Sequence, residues 1–236
     1  MKKIIGYTAL LILLTFSIQS FGLKNTVSSL NAVQEPTPNG FLVANYVVRD
    51  KLIYKKYSKA VNQLWSKYKG ELIIYDDASK AVEGNPGSVI TVVKFQSVID
   101  AQKCYNSSEY TALKKLRLAS TKGSVLLVQS GLPAAPSDNK KKPHGYMIAN
   151  YEIKNQAIFQ KYMDAAGTLA PKYNGAVTIF DFNAKILEGN GKPVFGVAEF
   201  NSLDEAEKFY YSLEYTAARR FRITSTEGTV LLAQSK

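Results

Sequence analysis

Gly40-Phe-Leu-Val-Ala-Asn-Tyr-Val-Val48 returns 105 residues later as Gly145-Tyr-Met-Ile-Ala-Asn-Tyr-Glu-Ile153. Extended without a gap, residues 40–130 align with 145–235, and 39 of the 91 positions are identical. An ungapped match of that length is a duplication, so one structural unit is written twice and whatever fold suits one copy must suit the other. The opening stretch is apolar and β-rich on both alternating faces, which predicts a strand covered from two sides.

After the strand, Asp50 and Asn155 stand where helix caps belong. Ile53, Tyr57, Ala60, Leu64 and Tyr68 recur unchanged as Ile158, Tyr162, Ala165, Leu169 and Tyr173, at spacings of 4, 3, 4 and 4. That periodicity marks one buried helical face. Gly70 and Gly175 end the helix ahead of a second strand, Glu71 to Tyr75 or Ala176 to Phe180. A loop through Glu83-Gly-Asn or Glu188-Gly-Asn leads to a third strand ending at Phe95 or Phe200. It lacks the strand, Gly-rich turn and Gly-Lys-Ser/Thr of a phosphate-binding loop. Ser97 and Ser202 then cap a second helix, which breaks and restarts around Ser107 and Ser212 before a last strand opens at Gly123 or Gly228. The order βαββαβ predicts an α+β fold: a four-stranded antiparallel sheet with both helices on one face.

Such a sheet leaves its other face open. Leu42, Ala44 and Tyr46 are assigned to the helix side, so Phe41, Val43, Asn45 and Val47, with Tyr146, Ile148, Asn150 and Glu152, point the other way. The second copy is tethered close by, so the two open faces are expected to pack on each other within one chain, giving a monomeric pseudo-dimer.

The 236 residues are 46% hydrophobic and 21% charged, which is globular composition. Residues 1–22 have a cationic start, an apolar run and small residues around Ser20 and Gly22, as in a signal peptide, and that run is shorter than the roughly 20 residues a membrane span requires. Residues 23–39 read as a flexible leader, 40–130 and 145–236 as the repeats, and 131–144 as a Gly, Pro, Ser and Lys linker. The chain is therefore expected to be exported, periplasmic or secreted, with no membrane anchor after cleavage. The net charge of +11 is uneven. The first repeat has 14 basic and 7 acidic residues, whereas the second, through Lys236, has 10 of each. The basicity therefore reads as divergence between the copies, and the third strands lack the basic and paired aromatic residues of an RNA-binding sheet, so nucleic acid is not expected.

Phrases such as Gly145-Tyr-Met-Ile-Ala-Asn-Tyr-Glu-Ile, Ala198-Glu-Phe-Asn-Ser202, Ser212-Leu-Glu-Tyr215 and Arg222 resemble the domain of unknown function 1330 family, the first copy being more diverged. The resemblance implies a ferredoxin-like domain of the dimeric α/β-barrel superfamily, whose paired sheets enclose a cavity. That superfamily holds cofactor-free monooxygenases, isomerases, haem-dependent enzymes and non-enzymatic ligand binders, so it implies a fold and no mechanism.

Candidate site residues follow from the open faces. Asn45 and Asn150 either make interface hydrogen bonds or orient a ligand, and Glu152 joins them. Tyr75, Phe180, Tyr146 and Phe41 are expected to form aromatic cavity walls. Lys94 and its counterpart Glu199 are expected to form an ion pair between the repeats, with an acid/base dyad as the alternative. Arg117 and Arg222, eight residues after Glu109 and Glu214, are assigned to surface or loop-anchoring ion pairs. Cys104, matched by Phe209, reads as a buried hydrophobe. His144, the sole histidine, lies in the linker, so no metal, haem or other cofactor is expected and no histidine-based triad. These residues point to a small apolar or aromatic ligand held between the repeats. A cofactor-independent monooxygenase or isomerase, or a purely structural or partner-binding role, is the alternative.

Overall fold

The computed structural model describes residues 38–130 and 145–235. The expected signal peptide, most of the leader, the linker and His144 lie outside the described residues. The first repeat runs β1 (Gly40–Val48), α1 (Lys51–Lys67), β2 (Glu71–Asp76), β3 (Lys80–Glu83), β4 (Val89–Phe95), α2 (Val98–Asn106), α3 (Ser108–Ser120) and β5 (Thr121–Gln129). The second runs β6 (Gly145–Ile153), α4 (Gln156–Ala166), β7 (Ala176–Asp181), β8 (Lys185–Glu188), β9 (Val194–Phe200), α5 (Leu203–Tyr211), α6 (Leu213–Ser225) and β10 (Thr226–Gln234).

Local chemistry explains these boundaries. Asp50 accepts hydrogen bonds from the Leu52 and Ile53 amides, and Asn155 accepts one from Ile158. Ser107 and Ser212 are extended, and each hydroxyl accepts the amide three residues on, from Tyr110 or Tyr215. One serine thus ends a helix and starts the next. α1 is continuous, whereas in the second copy the helix stops at Ala166 and resumes as a 3₁₀ turn, Ala170–Tyr173. Pro171 supplies the reason, because it cannot donate the backbone hydrogen bond a continuing helix requires. The left-handed residue after each helix is Lys69 or Asn174 and not the following glycine. Gly70 and Gly175 are needed for space instead, since a Cβ there would meet the ring of Phe95 or Phe200.

The sheets depart from the expected four strands. Their orders are β2-β4-β1-β5-β8 and β3-β10-β6-β9-β7, so each has five strands, one of them donated by the other repeat. β3 pairs with β10 through Ala81↔Leu231, and β8 pairs with β5 through Ile186↔Leu126. The stretch read as a loop between the second and third strands is therefore a crossing arm. Each arm also pairs away an exposed sheet edge. The exchange is reciprocal, as in an isologous dimer interface, but between halves of one chain.

Three cores result. Phe41, Val43, Ile90, Val92, Tyr146, Ile148, Phe195 and Val197 pack between the two sheets. Leu42, Tyr57, Leu64, Phe95 and Cys104 pack under the first repeat's helices, and Met147, Phe159, Phe200 and Phe209 under those of the second. Partly buried Leu187 and Val82, from the crossing strands, pack against the opposite repeat's helical core. The expected architecture of two ferredoxin-like repeats joined through their open faces is what the chain adopts. Among the described residues no helix is long and apolar enough to cross a membrane.

Candidate ligand cleft

Side chains fill most of the space between the sheets, but one mouth stays open. There the ends of β1 and β6, the loops after β3 and β8, and the starts of β5 and β10 surround a cleft of about 540 Å³. Its walls come in repeat-related pairs: buried Val43 and Ile148, Ile90 and Phe195, Leu126 and Leu231, then Ser124 and Thr229, and exposed Asn85 and Asn190. Lys122 comes from the first repeat and Lys192 from the second. An apolar floor under a polar rim suits a molecule with a greasy body and a polar end.

Asn45 and Asn150 shape this mouth. The Asn45 Nδ2 donates to the carbonyls of Gly87 (2.8 Å) and Val89 (2.9 Å), while its Oδ1 accepts the Gly87 amide. The Asn150 Nδ2 donates to Lys192 (2.7 Å) and Val194 (2.9 Å), and its Oδ1 accepts the Lys192 amide. Both donor hydrogens of each amide are spent, so these residues hold the rim loops and retain one acceptor lone pair for anything else.

The crossing arms carry the other support. Arg222, from α6, grips Glu83 at the end of β3 in a two-toothed fork, Nη1 to Oε2 at 2.8 Å and Nη2 to Oε1 at 2.5 Å. Tyr210 donates to the same carboxylate at 2.7 Å. In the other half, Arg117 Nη2 lies 2.6 Å from both oxygens of Glu188, which Tyr105 and Lys114 also contact. Both arginines are almost wholly buried, at 4% and 2% exposure. Of the two pairings expected for them, surface or loop-anchoring, the loop-anchoring one forms, and the surface one is corrected because the acid of each comes from the opposite repeat and draws the guanidinium inward. Each glutamate is followed by the glycine and asparagine of the rim, so the ion pair fixes where the mouth begins.

The remaining candidates are spread out. Tyr75 and Phe180 do not wall the space between the sheets. A β-bulge between Leu72 and Ile74, and its counterpart between Val177 and Ile179, turns Ile74 and Ile179 inward and leaves Tyr75 and Phe180 on the helix side. Phe180 packs edge-on against Phe182 there. Phe41 and Tyr146 are buried in the filled part of the inter-sheet core, away from the cleft. Burial, reinforced by the Glu199 charge, pushes the Tyr146 phenol up to about 12. Glu152 lies outside the cleft lining and is ion-paired to Lys154 (2.8 Å) and Lys192 (3.2 Å). Cys104 is fully buried, which holds its thiol up at about 12. Among the described residues no group of three metal-ligating side chains comes together.

Lys94 and Glu199 share the inner faces of their strands, on the parity of Val92 and Val197. No nitrogen–oxygen contact within 4 Å joins them among the described residues, although the Lys94 charge reaches Glu199. Burial raises the Glu199 carboxyl above its ordinary range, against the opposing pull of the Thr178 hydroxyl and Lys94. Glu83 and Glu188 behave in the opposite way: burial would raise them, but their arginine and tyrosine hydrogen bonds win and lower both.

A carboxyl raised in the folded state contributes fully below the ordinary glutamate range and loses that contribution as pH rises through its native value. The lowered pair contributes above the ordinary range and is lost as pH falls through the native values. Replacing Glu199 with glutamine should therefore raise the melting temperature at about pH 8, with the gain shrinking towards pH 4. A lower melting temperature at pH 8 would show that the attraction of Lys94 outweighs burial.

Lys122, Lys192, Asn85 and Asn190 line the cleft without being among the candidates that strand alternation singles out. The Glu-Gly-Asn identity in both copies was their available signal, but only the arm exchange brings the two loops to one mouth.

The family described as "Domain of unknown function (DUF1330)" matches residues 39–130 and again 144–235. No curated protein matches the chain. Among solved structures, an anthrone oxidase-like protein is 13% identical with a TM-score of 0.54, covering 86% of this chain and 92% of its own. Chlorite dismutase from Candidatus Nitrospira defluvii, solved with imidazole, is 12% identical with a TM-score of 0.53, covering 84% and 91%. A putative monooxygenase from Fusobacterium nucleatum is 7% identical with a TM-score of 0.52, covering 85% and 94%. At such identities the likeness is one of fold. With the family matched once in each half and the halves exchanging strands across facing sheets, the chain belongs to the DUF1330 family as a tandem duplication folded into an intrachain, pseudo-dimeric α/β barrel.

Proposed function

We propose that this protein is an exported, monomeric binder of a small molecule with an apolar or aromatic body, seated in the cleft between the repeats. The observation that carries this reading is the 540 Å³ mouth, with buried Ile90, Leu126, Phe195 and Leu231 below a rim of exposed amides and lysines. That volume falls within the roughly 300–1,000 Å³ typical of small-molecule sites. Among the described residues, the cleft lining holds no carboxylate, tyrosine, cysteine or histidine. Only Lys122 and Lys192 in this lining could move a proton, and with no acid/base partner for them in the lining it favours binding over isomerase or cofactor-independent oxygenase chemistry. Export rests on the layout of residues 1–22, and the monomer on the intrachain pairing of the sheets.

One preparation tests these points together. The full chain is expressed in a Gram-negative host, recovered from periplasm or medium, weighed by mass spectrometry, sized, and titrated with the neutral dye N-phenyl-1-naphthylamine. The expected result is a monomer cleaved near Ser20 or Gly22 that enhances the dye's emission at one saturable site. Ser124→Trp and Thr229→Trp, which fill the mouth, should each weaken binding by about tenfold, a change of about 1.4 kcal/mol. Retention of an uncleaved chain overturns export. Absence of saturable binding, or binding indifferent to both tryptophans, overturns the cleft as the site.

A further inference from the structure

Resting on that cleft reading, the two copies differ at the mouth in a way that selects among ligands. In the second repeat Glu152 and Glu227 are directly opposite each other across β6 and β10. Lys154 and Lys192 bridge both acids, with the Glu152 contacts at 2.8 and 3.2 Å and those to Glu227 at 3.5 and 3.9 Å. Two acids and two bases form a closed, neutral group. In the first repeat the same four positions hold Val47, Lys122, Arg49 and Gly87. Val47 lies opposite Lys122 across β1 and β5, so the acid that would neutralise this lysine is a valine. Among the described residues neither Lys122 nor Arg49 enters an ion pair, and Lys122 lines the cleft.

The mouth is therefore neutral on one side and cationic on the other. We propose that the cleft takes an anionic amphiphile, a carboxylate, sulfonate or sulfate carried on an apolar or aromatic body, with its charged group at Lys122. The apolar body lies over Leu126 and Phe195, and the exposed amides of Asn85 and Asn190, which have no hydrogen-bond partner among the described residues, are within the same lining. Lys192 is a poorer anion partner because Glu152 already occupies it. One unpaired, exposed cation at the rim of the cleft distinguishes a charged ligand from its neutral analogue by up to about fivefold at low salt, and salt should erode the difference.

A matched dye pair reads this directly. 1-Anilinonaphthalene-8-sulfonate carries the ring system of N-phenyl-1-naphthylamine plus a sulfonate. The wild-type protein is expected to bind the sulfonate up to about fivefold more tightly at low ionic strength. Lys122→Gln should remove most of that preference, read as the ratio of the sulfonate to the neutral-dye affinity within the variant. Val47→Glu, which restores an acid opposite Lys122 at an exposed strand position, should do the same. Equal affinities for the two dyes, or a sulfonate preference indifferent to both substitutions, overturns the anionic assignment and leaves the cleft standing. Failure of both dyes to bind overturns the cleft itself.

Discussion

Replacing Glu83 with alanine is expected to lower the free energy of unfolding by about 3–5 kcal/mol, because it strands a buried guanidinium. Arg222 is 2% exposed, and its two terminal nitrogens are both spent on Glu83. The aromatic faces of Tyr162 and Tyr151, 5.6 and 5.9 Å away, contribute modestly to the cation but cannot replace an anion. Its Nε is already without a hydrogen-bond partner, so no second acceptor lies within reach to relieve the charge. Glu83→Gln should fall between, since an amide can accept one branch of the fork but carries no charge. The informative control is Glu83→Leu with Arg222→Met. Removing both charges together should recover most of the loss, since apolar replacement of a buried pair is often near neutral. Urea midpoints at pH 7 read all of these. A cost below about 1 kcal/mol for Glu83→Ala, or no recovery in the double variant, would show that the pair is not what holds the arm.

How much of this was legible beforehand depends on range. The duplication, the caps at Asp50, Asn155, Ser97 and Ser202, and the breaks at Ser107 and Ser212 are local features, set by residues a few positions apart, and the sequence carries them openly. The facing of the two sheets followed from alternation in a regular strand. The same alternation failed at Tyr75 and Phe180 because a bulge resets the count, and nothing in Leu72-Ile-Ile-Tyr75 marks which residue is the extra one. The arm exchange was hidden for a different reason. Lys80–Glu83 and Lys185–Glu188 are four residues each, and a strand so short has the same pattern whichever copy it pairs with. Once the arms cross, Arg117 and Arg222 become buried and the two Glu-Gly-Asn loops meet at one mouth. Those consequences need a partner more than 70 residues away, so a helix-borne arginine read alone looks like a surface residue.

The arm's own glycine supplies the second large effect. Gly189 has φ +71°, and a Cβ added there would lie 2.2 Å from the carbonyl oxygen of Gly123 on the neighbouring repeat. Backbone strain and collision therefore fall on the same residue, one position after Glu188 and one before the rim residue Asn190. Left-handed backbone costs an ordinary residue of order 1–3 kcal/mol, and the clash is with backbone, which has no rotamer to yield. Gly189→Val is accordingly expected to cost about 3 kcal/mol or more, the strain being compounded by a branched side chain that overpacks the crossing. The damage should be directional. Displacing this residue breaks the β8–β5 pairing and the Arg117–Glu188 contact first, so amide exchange should accelerate along Lys185–Glu188 and the facing part of β5 while the β3–β10 pairing stays protected. Binding of the neutral dye should weaken in step, because the same loop forms half the rim. Asn190→Ala, beside it but exposed, should leave stability within about 0.5 kcal/mol. Uniform loss of protection over both sheets would mean that the arms do not open separately, and an unchanged midpoint for Gly189→Val would mean that the crossing is not tight.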